Sequence, residues 1–177
     1  MTIVTEDGTG KADAETYVSL SAATTYHANR GNAAWANLAS DAVREQCLRK
    51  ATDYMLSVYR DRWAGYRNTV TQALDWPRSY VQMRDGPGRA GFSYGSPSYY
   101  PNNTVPAAVA NACAELALRA ATGSLIPDEG QMVKRKKVGP VEVEYQDYSR
   151  ATKTYRAIDT LLAPLLAAGG GLRVIRA

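Results

Sequence analysis

DAVREQCLRKATDYMLSVYRD, residues 41–61, is the stretch that decides the fold class. Val43, Cys47, Leu48, Ala51, Tyr54, Met55 and Val58 recur at three and four residues, one face of a 3.6-residue period, so a helix is predicted from Ser40 or Asp41 to Asp61. Glu45 and Arg49 stand four apart on the opposite side, in the order that supports a helix by roughly 0.2–0.5 kcal/mol. Toward the N-terminus, Thr16-Tyr17-Val18 reads as an extended lead-in. Ser19 caps a helix over 20–30, and Gly31 supplies the left-handed position that ends it. Toward the C-terminus, Pro106 opens a third helix to Thr122, closed by Gly123, with Val109, Cys113, Leu116, Ala117 and Ala120 as its buried stripe. Small residues dominate that stripe and let neighbours approach closely. A fourth helix is predicted over 155–167, with Ile158, Leu161, Leu162 and Leu165 inward and Pro164 weakening the last turn.

Two segments break the helical period. Residues 132–145 carry Val133 and Val138 before Gly139-Pro140, then the alternation Val141-Glu142-Val143-Glu144-Tyr145, a β-hairpin pattern. Residues 79–105 are rich in Gly, Pro, Ser, Asn and Tyr and read as a long inserted loop of the kind that binds or stays open. Gly169-Gly170-Gly171 is a hinge before a β-prone arm. The expectation is a mostly α protein: one helical domain over 1–168 built on a four-helix core, then the hinge and arm over 169–177.

A chain of 177 residues with 45% hydrophobic and 21% charged side chains suits one domain and excludes disorder throughout. The apolar run 161–168 is far shorter than the ~20 residues that cross a bilayer. Residues 1–13 hold Glu6, Asp7 and Asp13 with no apolar run, so no secretory signal is expected. Cys47 and Cys113, both in helical patterns, fit a reducing compartment, and a soluble intracellular product is the expectation. The net charge of +4 resides in one interspersed region, 44–89, and one tetrabasic run, Lys134-Arg135-Lys136-Lys137. Such a distribution does not by itself establish DNA binding.

The apparent chemical motifs fail on context. Gly86-Pro87-Gly88-Arg89-Ala90-Gly91 matches the dinucleotide fingerprint but lacks the strand before it and the helix after it. Gly8-Thr9-Gly10-Lys11 imitates a phosphate loop, yet Ala12 stands where a hydroxyl must ligate the metal; it reads as a turn. His27 is the only histidine and reads as a partly buried helical residue, and with two cysteines a helix apart it makes no zinc site. Asp53 and Asp61, interleaved with Arg49 and Arg60, read as a solvated helix face. No catalytic residues, cofactor or metal are expected, and the chain is not expected to be an enzyme.

Twelve tyrosines against one phenylalanine is the compositional excess. Tyr80, Tyr94, Tyr99 and Tyr100 fall in the 79–105 loop. Tyrosine combines rigid contact area with a polar tip, which suits a protein interface. The same rings, interleaved with Arg78, Arg84 and Arg89, could stack single-stranded bases, and a plain surface loop is the third reading. Trp35 and Trp63 read as core anchors; Trp76 is the expected exception, because Pro77 breaks the helix and exposes the Trp76-Pro77-Arg78 turn.

An ordered set of segments carries a family resemblance: Val4-Thr5-Glu6-Asp7-Gly8-Thr9-Gly10, Ala14-Glu15-Thr16-Tyr17-Val18-Ser19, Tyr26-His27-Ala28-Asn29-Arg30-Gly31-Asn32-Ala33-Ala34-Trp35, Arg49-Lys50-Ala51-Thr52-Asp53-Tyr54, Gln72-Ala73-Leu74-Asp75-Trp76-Pro77-Arg78, Val105-Pro106, Ala114-Glu115-Leu116-Ala117 and Val138-Gly139-Pro140-Val141-Glu142-Val143-Glu144-Tyr145. In these segments the chain resembles tailed-phage and prophage proteins often labelled DnaT-like single-stranded DNA-binding proteins, which are in turn similar to phage head–tail adaptors. Two features depart from the pattern: a lengthened stretch 86–104, and Asp75 where a small residue is commoner and where only a surface contact should shift.

The resemblance implies the adaptor type of four-helix core and a structural role: a ring, typically of twelve subunits, under the portal in the virion neck. It implies other copies of the chain, the portal protein and the next stopper or tail-terminator protein as partners, transient contact with passing DNA, and no membrane. Leu172, Arg173, Val174, Ile175 and Arg176 would form a portal- or subunit-contact arm. Tyr80, Tyr94, Tyr99, Tyr100, Trp76 and Arg78 would form an interface loop. Lys134, Arg135, Lys136 and Lys137 would be a basic run facing DNA or a partner. The alternative is a replication-type single-stranded DNA-binding protein.

Overall fold

A computed structural model describes residues 2–86, 98–126, 135–138, 141–144 and 155–167, of which 135–138 and 141–144 are described as backbone. It is mostly helical. The decisive stretch forms α3, Asp41–Tyr59, capped by the Ser40 hydroxyl accepting from the Val43 N–H, and tightens into a 3-10 turn over Arg60–Arg62. Helix α1 is Leu20–Ala28, capped by Ser19, and Gly31 adopts φ +67° as its stop. A short helix that the periodicity does not announce, α2 (Ala33–Ala36), follows at once. It lays Trp35 against His27, with ring centroids 4.8 Å apart. Helix α4 is Ala107–Ala120, and α5 is Arg156–Leu162. The predicted last turn of α5 becomes a 3-10 turn over Ala163–Leu165, because Pro164 has no N–H to continue the ladder.

Helix α4 is the hub, packing on α1, α3 and α5. Ala112, Cys113, Ala114, Leu116 and Ala117 are fully buried, so the small-residue stripe sits where three helices converge. Cys47 and Cys113 are free thiols inside this packing, and Cys113 Sγ lies 3.6 Å from the Thr16 hydroxyl and 3.5 Å from that of Thr52.

The N-terminal segment is fastened rather than loose. The Glu6 carboxylate accepts from the N–H groups of Gly8, Gly10 and Lys11 at 2.8–2.9 Å, so the phosphate-loop imitation is a turn wrapped around an internal anion. Glu15 takes a two-pronged contact from Arg49 on α3, Nε to Oε1 at 2.8 Å and an Nη to Oε2 at 3.0 Å. Those contacts, Arg49's foremost, hold the Glu15 carboxyl down at about 2.

Two small antiparallel ladders complete the fold. Strand β1 (Tyr66–Arg67) pairs with β2 (Arg78–Ser79), an element absent from the sequence expectation. Strands β3 (Arg135–Val138) and β4 (Val141–Glu144) form the expected hairpin inside 132–145. No described helix is long and apolar enough to cross a membrane. The hinge Gly169–Gly171, the arm Leu172–Arg176, Tyr94, Lys134 and most of the 86–91 glycine motif lie outside the described residues.

Candidate partner-binding face

The Trp76-Pro77-Arg78 turn is interior, which corrects the expectation that Pro77 exposes it. Trp76 is fully buried and follows Asp75 into a cis peptide bond with Pro77. Its ring meets Trp63 edge to face at 5.8 Å. Arg78, also buried, spends its guanidinium on backbone carbonyls: Ala64 O at 2.8 Å, Gly65 O at 2.8 Å and Asp75 O at 3.2 Å. It is a staple between two chain segments and is unavailable to a base or a partner. Asp75 is buried as well, which corrects the reading of a surface shift. Its Oδ1 accepts from Arg60 Nε at 3.1 Å and its N–H donates to the Tyr17 hydroxyl. Sequence reasoning placed these residues outside because it priced Pro77 as a breaker and could not see the carbonyls waiting for Arg78.

These contacts hold β1 against β2, and Gly65 makes the approach possible. Gly65 sits at φ +67°, and a Cβ there would fall 2.1 Å from the Ser79 carbonyl oxygen. Beyond β2 the described residues 81–83 and 98–100 continue as a paired edge. Met83 N donates to Ser98 O at 2.8 Å, Tyr100 N donates to Val81 O at 2.9 Å, and Gln82 bridges Tyr99. The described ends of the 79–105 insertion are thus stitched together.

This scaffold presents a row of exposed rings. Tyr66 is 69% exposed, Tyr80 70% and Tyr99 46%. Tyr66 and Tyr80 have centroids 6.1 Å apart at 71°, and Tyr80 and Tyr99 are 6.0 Å apart at 82°. Tyr80 holds φ +61°, a left-handed conformation that costs a bulky residue about 1–2 kcal/mol. Beside the row, Ser79, Tyr80, Tyr99, Tyr100, Pro101 and Asn102 line an open cleft of roughly 320 Å³. Tyr80, Tyr99 and Tyr100 come together here as the sequence suggests, although Tyr100 packs partly onto the core. Tyr66 was missed; a Gly-Tyr step before an unrecognised two-residue strand is its only signal.

The row admits two uses. A platform for single-stranded bases combines a basic groove with aromatic rings on which successive bases stack. Here successive rings turn edge to face, Arg78 is buried on carbonyls, and Arg84 holds a guanidinium hydrogen on the Leu166 carbonyl at 2.9 Å. Alternating edges and faces around a cleft suit the mixed apolar and polar surface of a protein partner.

The basic run divides by register. Arg135 stands opposite Glu144 and Lys137 opposite Glu142, while Lys136 is paired with Val143 and Val138 with Val141. Directly paired residues share one sheet face, so two of the four cations share a face with two carboxylates.

Among the described residues, no cluster of three or more His, Cys, Asp or Glu is placed to hold a metal ion. His27 is a structural group: Nε2 lies 3.1 Å from the Ala114 carbonyl, so Nε2 carries the proton, and Nδ1 accepts from Asn32 at 3.0 Å. Burial pushes its pKa down.

The chain is mostly helical and carries a surface row of exposed tyrosines. It belongs to the family described as "Putative DnaT-like ssDNA binding protein", whose model matches residues 1–177. No curated protein and no solved structure matches the chain in the corresponding comparisons.

Proposed function

We propose that this protein is a head–tail adaptor of a long-tailed phage, a structural subunit that assembles under the portal and uses the tyrosine row as a contact face. The observation that carries the reading is that row: three rings exposed on a stitched edge, turned edge to face, beside a cleft. In protein interfaces a few residues carry most of the binding energy, and Tyr is enriched among them. The ordered sequence resemblance supplies the kind of partner: neighbouring subunits, the portal and the next neck protein.

The family description favours a second reading, a single-stranded DNA binder. A titration of a fluorescent oligonucleotide across salt concentrations separates the two. The adaptor reading predicts weak binding that is indifferent to Tyr80→Ser. Tight binding with a steep salt slope, lost in Tyr80→Ser, would establish the alternative, because phosphate neutralisation releases counterions.

A further inference from the structure

The hairpin offers a second interface, and its charge pattern specifies the symmetry of the partner. Among the described residues, strands β3 and β4 pair only with each other, and no described strand lies along the outer edge of either. A two-stranded ladder of four-residue strands is marginal in water without a further strand or a packing surface. The two outer edges differ in charge. Strand β3 reads Arg135-Lys136-Lys137-Val138, three cations and no acid; β4 reads Val141-Glu142-Val143-Glu144, two carboxylates and no base.

This asymmetry selects among the ways two copies could share an edge. Pairing β3 with β3 about a two-fold axis brings six cations together, and pairing β4 with β4 brings four carboxylates together. Like charges opposite one another destabilise a sheet and are a device that blocks edge-to-edge association. Only β4 against β3 matches. Because β3 and β4 are antiparallel within a copy, antiparallel addition of the next copy's β4 to β3 repeats every hairpin in the same orientation. That is a head-to-tail, heterologous contact, the kind that closes into a ring when the rotation allows.

We infer that the hairpin is a self-assembly element: the acidic β4 edge of one copy adds to the basic β3 edge of the next. The inference deepens the adaptor reading and rests on its ring. The basic run then serves subunit registration rather than DNA.

Charge exchange tests it. One variant, Arg135→Glu with Lys137→Glu, makes both edges acidic; a second, Glu142→Lys with Glu144→Lys, makes both basic. Sedimentation velocity over a concentration series at low salt should show the parent self-associating and each variant alone shifted at least tenfold toward monomer. An equimolar mixture of the two should recover association, since every β4–β3 contact between unlike copies is again complementary. Within each variant's own hairpin the charges remain mismatched, so recovery in the mixture cannot come from repaired folding. A parent that stays monomeric across the series overturns the inference, as do variants that associate like the parent or a mixture that behaves like its components. Failure here leaves portal binding by the parent as a separate question, and loss of portal binding with intact mixing would remove the adaptor reading alone.

Discussion

The molecule contains two rows of aromatic rings that use the same residue type in opposite ways. The interior row runs Tyr155, Tyr54, Tyr59, Trp63, Trp76, with successive centroids 5.4, 6.4, 5.7 and 5.8 Å apart. It crosses from α5 through α3 to the Trp76 turn. The exterior row is Tyr66, Tyr80, Tyr99 at nearly the same spacing. In the interior, Tyr59 is buried and its hydroxyl donates to Asp159 Oδ1 at 2.9 Å, so its polar tip has a protein partner. In the exterior row the rings touch one another and remain exposed, Tyr99 by about half, and one sits on a left-handed backbone. Stability explains the first row. It does not explain the second, which is why the second is the candidate for function.

Substitutions should separate the rows sharply. Trp76→Ala, which empties a fully buried site, should cost about 3–5 kcal/mol in denaturant unfolding. Arg78→Ala should cost about 3 kcal/mol by orphaning carbonyls at Ala64, Gly65 and Asp75. Interior polar partners also set a pH dependence. The unfolded chain binds a proton at His27 near its ordinary value of 6.5, whereas the folded state resists it, so stability falls as pH drops below 6.5 until the folded pKa is passed. Melting temperatures between pH 7.5 and 5 should decline in the parent and flatten in His27→Gln. The Glu15 contact to Arg49 acts in a lower window, its contribution being lost as pH falls from 4.5 toward 2.

Smaller effects follow. Tyr59→Phe should cost about 1 kcal/mol, the net worth of its hydrogen bond to Asp159. Replacing Tyr66, Tyr80 and Tyr99 together by Ser should change unfolding by less than about 0.5 kcal/mol per site, as for other surface positions, while abolishing assembly into tailed particles. Tyr80→Gly sharpens the contrast further. Relief of the left-handed strain should leave stability unchanged or raise it by up to about 1 kcal/mol while assembly weakens.

The helices were legible because their apolar stripes are long: the α3 and α4 positions read from spacing are largely the buried ones. The hairpin was legible from strict alternation around Gly139-Pro140. Helix α2 was not, since four residues cannot express a period, and β1 and β2 were not, since two-residue strands carry no alternation. The exposed tyrosines were half legible. Composition marked the 79–105 region, but Tyr66 joins the row only through a pairing set by Gly65 and Arg78. Trp76 and Arg78 were placed on the wrong side because the bonds that bury them are to backbone carbonyls, which no side-chain pattern records.

Negative-stain imaging of the purified chain mixed with isolated phage portal rings tests the central claim most directly. The adaptor account predicts an added ring of density seated coaxially on one end of the portal. Portals left bare at saturating chain, with the same preparation binding single-stranded DNA tightly and salt-dependently, would contradict it.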